Sequence, residues 1–321
     1  MATTLSVILP MYNEEENVAP TLKEVRGVLS TLNVPFEIIA VDDGSKDATL
    51  KLLQNEAKKI KELKIIAYKP NHGLGYALRQ GFDAASGEYV ITLDSDLSYD
   101  AKYIVDIYNT FQKSHVDVVV GSPYMKGGKA LGVQPKRLLI SKASNKFISY
   151  AIGANVNTVT GILRGYTKEV LDSLVLESNG PQIMTEVLEK AALLNFKIHE
   201  IPAVLKGRIR GTSKFQNQVK KVGKEYFNLL VNDKPTILIK MTGAGLIFLG
   251  IIYSGFILVD FLAGNIPQNS PVITNPILLT LLLGALLFFV AVILKQFTQM
   301  KKHLLFIQKQ NKALDKLLRE K

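Results

Sequence analysis

The sequence contains no cysteine and no tryptophan, and only four histidines, His72, His115, His199 and His303. Without thiols there is no disulfide, no thiolate nucleophile and no cysteine-ligated metal. The histidines are too scattered for two of them to share a metal from one helix face. Acidic residues are in the minority, 28 Asp and Glu against 39 Lys and Arg, which leaves a formal net charge of +11. A basic balance suits nucleic acid, an anionic membrane surface or phosphorylated ligands alike. The start, Met1-Ala2-Thr3-Thr4, runs into the apolar Leu5-Ser6-Val7-Ile8-Leu9 without the basic-then-apolar layout of a signal peptide, so the N-terminal domain is expected in the cytosol.

At 321 residues the chain is long for one domain, and its 47% hydrophobic residues are unevenly spread. Apolar runs at 5–9, 36–41, 63–67 and 88–93 read as buried strands. Helical periodicity fills 15–32, through Val18, Leu22, Val25 and Leu29, then 47–60 with Asp47 as N-cap, then 74–85. This alternation predicts a mostly parallel sheet covered by helices, with ligands beyond the carboxyl ends of the strands. Polar clusters stand at those ends: Tyr12-Asn13-Glu14, Asp42-Asp43 and Asp94-Ser95-Asp96. A strand at 116–120, a glycine-rich loop, helices at 136–152 and 182–195 and a strand at 197–201 follow.

The last third differs. Met241–Val259 carries no charge and runs about 19 residues, near the span of a bilayer; Ile277–Leu294 is similar. Lys234 and Lys240 precede the first run, Lys295, Lys301 and Lys302 follow the second, and the link between them has no Lys or Arg. The positive-inside rule then puts both termini in the cytosol and the link outside. Residues 215–231 set Val219, Val222, Phe227 and Leu230 against Lys220, Lys221 and Lys224, a pattern for a helix in the membrane interface. The tail from Gln296 interleaves basic residues with leucines, which fits an interfacial or self-associating helix and equally a disordered basic tail. The expected layout is a cytosolic catalytic domain over 1–214, an interfacial helix over 215–234, two transmembrane helices over 235–295 and a cytosolic tail over 296–321 of a multi-pass cell-membrane protein.

Four clusters could carry chemistry. Asp94 and Asp96, one residue apart after an apolar strand, suit a divalent cation held against a diphosphate; alone, the same pair reads as a solvated acidic turn. A carboxylate of Asp42 or Asp43 suits base N–H or ribose hydroxyl groups, and equally the N-terminus of a helix. Asn71-His72-Gly73-Leu74-Gly75 opens a helix whose terminus suits an anion. It is not a dinucleotide fingerprint, because Leu78 stands at the third glycine position. The loop Lys206-Gly207-Arg208-Ile209-Arg210-Gly211-Thr212-Ser213-Lys214, with Arg137, suits phosphates, just before the apolar runs where a lipid phosphate would lie; the alternative is a solvated basic loop.

Taken together, these residues resemble family 2 glycosyltransferases of the GT-A fold, and among them the polyprenyl-phosphate glycosyltransferases. The matching pieces, in order, are Pro10-Met11-Tyr12-Asn13-Glu14, Val41-Asp42-Asp43-Gly44-Ser45 with Asp47 and Thr49, Asn71-x-Gly73, and Gly87-Glu88-Tyr89 leading to Asp94-Ser95-Asp96-Leu97-Ser98. Gly121-Ser122 with Gly127-Gly128, Thr160-Gly161 and Arg208-x-x-Gly211-x-Ser213-Lys214 complete the set. The resemblance implies that Pro10, Tyr12, Glu14, Val41 and Asp43 hold the nucleoside, that Asp94 and Ser95 line the nucleotide, and that Asp96 ligates Mg²⁺ or Mn²⁺ with Ser98 nearby. It gives Arg137, Arg208 and Lys214 the acceptor or donor phosphates. The chain departs from the family pattern at Pro123, where many members carry an arginine, at Asn157, where an aspartate is usual, and at Ile162, where phenylalanine is usual.

The implied reaction is inverting transfer of a sugar from a UDP- or GDP-linked donor to a polyprenyl or dolichyl phosphate at the cytosolic face of a bilayer. The implied partners are the nucleotide sugar, the lipid phosphate, the bilayer and a second copy of the chain, not nucleic acid. A lipid phosphate is already anionic, so no strong general base is required; Glu186 is a candidate by position only, with a structural role as the alternative. Processive polysaccharide synthases carry a Gln-x-x-Arg-Trp motif that a chain without tryptophan cannot supply. A transferase acting on another membrane lipid and a non-catalytic scaffold on a transferase fold are the rival readings.

Overall fold

The computed structural model describes residues 3–207, 248, 251–265 and 271–319, with part of the side chains in the last segment. Met1–Ser213 together with Leu305–Lys321 form one compact unit, and Lys214–Leu304 a second.

In the first unit, the expected alternation is present. Strands β1 (Leu5–Met11), β2 (Phe36–Asp42), β3 (Leu63–Ala67) and β4 (Tyr89–Thr92) alternate with helices α1 (Val18–Ser30), α2 (Thr49–Ala57) and α3 (Leu74–Ala84). Helix α4 (Tyr103–Lys113), strand β5 (Val118–Ser122), the short β6 (Lys129–Ala130) and helix α5 (Pro135–Ile152) follow. Strand β7 (Arg164–Thr167), helices α6 (Lys168–Ser173) and α7 (Ile183–Leu193), and strands β8 (Ile198–Pro202) and β9 (Val204–Leu205) complete the unit's globular part. Seven strands form one sheet in the order β3-β2-β1-β4-β7-β5-β8, while β6 and β9 pair separately. All neighbours in the large sheet are parallel except β7, which runs antiparallel to both β4 and β5.

Alternation along the strands decides which helices cover which face. Leu5, Val7 and Leu9 of β1 join Ile38, Ala40 and Ile91 beneath Leu22, Val25 and Leu29 of α1 and Ile104 and Ile107 of α4. The intervening Ile8, Ile39, Val41 and Val90 pack on the other side against Leu78 and Phe82 of α3 and Val187 and Leu188 of α7. Because the central strands are covered on both faces, their runs are mostly apolar, as in parallel sheets.

One buried carboxylate ties the sheet together at the end away from the polar clusters. Glu37 accepts hydrogen bonds from Ser6 Oγ at 2.6 Å, Ser86 N at 2.7 Å and Ser86 Oγ at 2.8 Å, and pairs with Lys64 Nζ at 2.5 Å. It joins β1, β2, β3 and the turn before β4. Burial pushes its carboxyl up, but the bonds from Lys64, Ser6 and Ser86 outweigh burial, so it titrates below its ordinary 4.5.

Of the two readings left open for the tail, a helix is the one present, and it begins far upstream of Gln296. Helix α9 spans Pro271–Arg319, after the helical residues 251–262, here α8. Within the first unit its last turns pack on the domain. Lys312 Nζ donates to the carbonyls of Leu171 at 2.9 Å and Leu174 at 2.7 Å, capping α6, and Lys309 Nζ lies 3.6 Å from Glu169 Oε1. The expected N-cap of α2 shifts: the helix starts at Thr49, and Asp47 accepts the Thr49 N–H at 3.0 Å from one residue ahead of the cap. Among the described residues no helix is long and apolar enough to cross a membrane. Of the segments expected to meet the bilayer, 215–234 lies outside the described residues, as does the first part of Met241–Val259 apart from residue 248. Ile277–Leu294 falls within α9, with most of its side chains outside the described set.

Glu37→Gln tests the tie. A depressed carboxyl contributes stability that is fully present above its unfolded value near 4.5 and is lost as pH falls through the lower folded value. The variant should therefore lose about 2 kcal/mol at pH 7, and the gap to wild type should close as the pH is lowered toward 3 (a range set by ordinary carboxyl values). Thermal unfolding of the purified chain across that range reads both.

Candidate active site

The register of three strands brings the polar clusters together. Pro10 pairs with Val41 and Met11 with Asp42 across β1 and β2, and Ile8 pairs with Thr92 across β1 and β4. The ladders run one residue further through Asp43 N to Met11 O at 2.8 Å and Leu93 N to Ile8 O at 3.2 Å. Residues 10–14, 41–45 and 94–98 therefore leave the sheet side by side at one edge of the strand ends. Pro10, Tyr12, Glu14, Val41, Asp43, Asp94, Ser95, Asp96 and Ser98 belong to this single cluster.

Neighbouring loops are locked by short hydrogen bonds. Asn13, with φ 51° in the left-handed region that asparagine tolerates, takes Lys46 N on its Oδ1 at 2.7 Å and donates its own N–H to Ser45 Oγ at 2.9 Å. Glu14 N donates to Thr49 Oγ1 at 2.8 Å, and Glu14 Oε2 accepts from Asn17 Nδ2 at 2.7 Å. The carboxylate of Asp43 is buried and gathers the next loop, accepting from Asn71 Nδ2 at 2.6 Å, His72 N at 2.8 Å and Gly73 N at 2.9 Å. Tyr68 and His72 stand beside it with ring centroids 5.7 Å apart, and Tyr76 packs edge-on to Tyr68 at 5.0 Å. Burial first and the Asp43 charge second hold the Tyr68 phenol far above its ordinary value.

The expected anion site at the start of α3 is not there. Gly75 N and Tyr76 N donate to the carbonyl of Asn179 at 2.7 and 3.2 Å, so a backbone oxygen of this chain already occupies the helix N-terminus. The glycines serve that approach: a Cβ on Gly73 would stand 2.7 Å from Asn179 O, and one on Gly75 would collide with Ser178 O. Glu186 holds the other side of this loop, accepting from Glu177 N and Ser178 N at 2.9 Å each and from Lys190 Nζ at 2.6 Å. Burial raises its carboxyl, and the bonds from Lys190, Ser178 and Glu177 lower it by more. A carboxylate so engaged is a poor proton acceptor, and the structural role is the one the geometry supports.

The segment Asp94–Ser98 forms a tight turn. Thr21 Oγ1 of α1 donates to Ser95 O at 2.6 Å, and Ser98 N donates to Asp96 Oδ1 at 2.9 Å with the Ser98 hydroxyl donating to the same oxygen. Leu97, between them, has φ 54°, a strained conformation for a leucine that the packed surroundings enforce. No group of three or more His, Cys, Asp or Glu that could hold a metal occurs among the described residues. Asp94 and Asp96 fit a cation that takes one or two protein carboxylates and fills its shell with water and phosphate oxygens, the habit of Mg²⁺. Ser98, expected near the metal, is aimed at Asp96 and orients it.

The basic loop begins beside this turn. Lys206 N donates to Ser98 O at 2.8 Å, and Lys206 Nζ lies 3.4 Å from Asp100 Oδ2. Arg208 and Lys214 lie outside the described residues. Arg137 is exposed in the first turn of α5, on an element separate from the cluster. Asn157, at the departure from the family pattern, donates through N and Nδ2 to Glu200 Oε2 at 2.8 and 2.7 Å, so a carboxylate from β8 now serves that loop. Sequence reading also missed Arg164, a fully buried guanidinium that donates to Val159 O at 2.6 Å and to Met184 O. Its signal was a lone cation between Leu163 and Tyr166.

A mostly parallel sheet whose central strand ends carry a clustered Asp-x-Asp turn has the architecture of the GT-A class. Residues 6–175 match the Glycosyl transferase family 2, and the chain belongs to that family. It is 32% identical over 217 residues to a dolichol-phosphate mannosyltransferase of Pyrococcus furiosus, covering 67% of this chain and 60% of the relative. It is 33% identical over 175 residues to an undecaprenyl-phosphate 4-deoxy-4-formamido-L-arabinose transferase of Proteus mirabilis, covering 53% of this chain and 51% of the relative. The chain thus spans between half and two thirds of the length of these relatives. Among solved structures, glucosyl-3-phosphoglycerate synthase of Mycobacterium tuberculosis, in complex with Mn²⁺, UDP and phosphoglyceric acid, superposes with a TM-score of 0.52 at 17% identity, over 67% of this chain and 73% of that one. At that identity the likeness concerns the fold.

Proposed function

We propose that this chain is an inverting, membrane-anchored glycosyltransferase that moves a sugar from a UDP- or GDP-linked donor to a polyprenyl or dolichyl phosphate at the cytosolic face of the membrane. One observation carries the reading: the Asp94-Ser95-Asp96 turn is fastened beside the Pro10–Glu14 and Val41–Asp43 strand ends in a family 2 chain. The names of the Pyrococcus and Proteus relatives supply the acceptor class, and the Mycobacterium fold neighbour supplies a precedent for UDP with a divalent cation.

In this reading Pro10, Tyr12, Glu14, Val41 and Asp43 frame the nucleoside, and Asp94 and Ser95 line the nucleotide. Asp96, oriented by Ser98, holds Mg²⁺ or Mn²⁺. A divalent cation held there would supply positive charge against the diphosphate. Arg208, Lys214 and Arg137 would supply cations to the acceptor phosphate. A phosphate oxygen attacks the anomeric carbon from the face opposite the leaving group. The bond from that carbon to the diphosphate oxygen breaks, and the nucleoside diphosphate departs with the electron pair. No proton needs removing from the nucleophile, so an engaged Glu186 is no obstacle.

Membrane anchoring is the second part of the proposal. It is supported by the charge-free sequence runs and by Phe248, Ile251, Phe256 and Leu262 around α8 and Phe289 and Ile293 in α9, large apolar side chains that stand exposed. Two spans with both termini in the cytosol follow from the flanking lysines.

Purified chain offered polyprenyl phosphate and a panel of nucleotide sugars should yield one lipid-phosphate-linked monosaccharide by mass spectrometry. EDTA and, separately, Asp96→Asn should each lower transfer at least about 100-fold, the scale on which one preorganised charge acts. Full activity of Asp96→Asn in EDTA contradicts the metal role. For topology, a cysteine at Asn269 should react with an impermeant thiol reagent from outside the cell. Protection of that site in a chain without other thiols contradicts the orientation.

A further inference from the structure

Between α6 and α7, residues 174–179 form neither helix nor strand, so no ladder satisfies their carbonyls. Three cations do so instead. Lys190 Nζ of α7 donates to Val175 O at 2.6 Å. Arg79 of α3 donates through Nη1 to Leu176 O at 3.3 Å and through Nη2 to Asn179 Oδ1. Lys312 Nζ takes the carbonyls of Leu174 at 2.7 Å and Leu171 at 2.9 Å, and it comes from the last turns of α9, 138 residues beyond Leu174. A lysine in that place satisfies orphan carbonyls at the end of α6 and meets the negative end of its dipole.

The tip of this segment touches the site. Asn179 O receives Gly75 N at 2.7 Å, and the preceding residues, His72 and Gly73, donate their N–H groups to Asp43 at 2.8 and 2.9 Å. A Cβ on Gly73 would stand 2.7 Å from Asn179 O, so the two backbones are in direct contact. A shift of the 174–179 segment must therefore be answered by the loop that Asp43 gathers. The end of α9 belongs to the same compact unit as that loop. Beside Lys312, Lys309 Nζ lies 3.6 Å from Glu169 Oε1 and 5.1 Å from the centre of the Phe196 ring, and Leu305 is buried. The Lys309–Glu169 pair is exposed and contributes little by itself. The two short bonds of Lys312 are the stronger fastening.

We propose that Lys312 is a positioning residue for the donor site and that the end of α9 is a strap. Docked, it fixes residues 171–179 and, through Asn179, the 71–76 loop around Asp43. Released, that loop loosens and nucleotide is held less tightly. The inference rests on the reading of Asp43 as a nucleotide contact. Helix α9 also contains the run Ile277–Leu294, so the strap would tie the donor site to a helix proposed to anchor the chain.

Lys312→Met removes the charge and the donors but keeps most of the stem, whereas Lys312→Arg keeps all three. Hydrogen exchange read by mass spectrometry on the full-length protein without nucleotide tests the strap. Amides of 71–76 and 175–179 should exchange about fivefold faster in Lys312→Met and near the wild-type rate in Lys312→Arg, with β1 unchanged. Glu169→Lys, which sets a second cation against Lys309, should move the same amides in the same direction by less. Calorimetry should show the affinity for UDP or GDP falling about fivefold in Lys312→Met and returning in Lys312→Arg. Unchanged exchange and affinity in Lys312→Met overturn the proposal. Faster exchange confined to 175–179, with 71–76 and affinity as in wild type, also overturns it and leaves Lys312 a helix cap only. Should the wild type bind neither UDP nor GDP, the donor-site reading fails, and exchange at 71–76 still decides whether the strap reaches Asp43.

Discussion

Parallel pairing of β1 with β2 on one side and β4 on the other is the constraint from which the site follows. The ladder from Leu5↔Phe36 to Met11↔Asp42, and from Leu5↔Tyr89 to Ile8↔Thr92, leaves no freedom in where Tyr12, Asp43 and Asp94 emerge. A one-residue slip would exchange the two apolar faces of β1, moving Ile8 to the α1 side and Leu9 to the α3 side. Both faces are sealed by helices, so the register is enforced by burial of the whole strand, and the polar turns are left at the carboxyl end as its consequence.

Beyond that frame, single side chains set the loops. Asp43 spends its carboxylate on Asn71, His72 and Gly73, which fixes the backbone beside the site. The next contact outward is made by backbone alone, Asn179 O on the N-terminus of α3, and Glu186 with Lys190 secures the segment that brings Asn179 there. Lys312 then caps α6 a few residues upstream, so the end of α9 is fastened to the same run of chain. Preorganisation of this kind has its cost in Leu97, held at positive φ where the Asp94–Ser98 turn would relax in a looser setting.

The parts legible in the sequence were those with a local signal. Apolar runs located β1 to β4 and β5, and the Asp-x-Asp after β4 stood out because a buried strand preceded it. What escaped depended on distant partners. The four-residue β7 has glycine at its centre and a buried arginine at its start, so nothing in its composition announces an antiparallel strand between β4 and β5. Helix α4 did carry a signal, Ile104, Ile107 and Phe111 at helical spacing. The start of α3 looked open to an anion because Asn179 lies far away in sequence. Glu37, inside the apolar run at 36–41, joins four segments. Polar Asn145 and Ser149 on the buried face of α5 reversed the usual assignment of faces, which only the 156–160 loop explains.

The central proposal is that the clustered strand ends form one nucleotide site, at which Asp96 would hold a divalent cation that favours a diphosphate. Calorimetric titration of the purified chain with UDP and GDP, each with and without Mn²⁺ and compared with uridine and guanosine, tests it most directly. The account predicts that one diphosphate binds at least about tenfold more tightly with the cation present, that its nucleoside shows no such dependence, and that Asp96→Asn removes the difference. Metal-independent binding of the diphosphate, unchanged in Asp96→Asn, would contradict it.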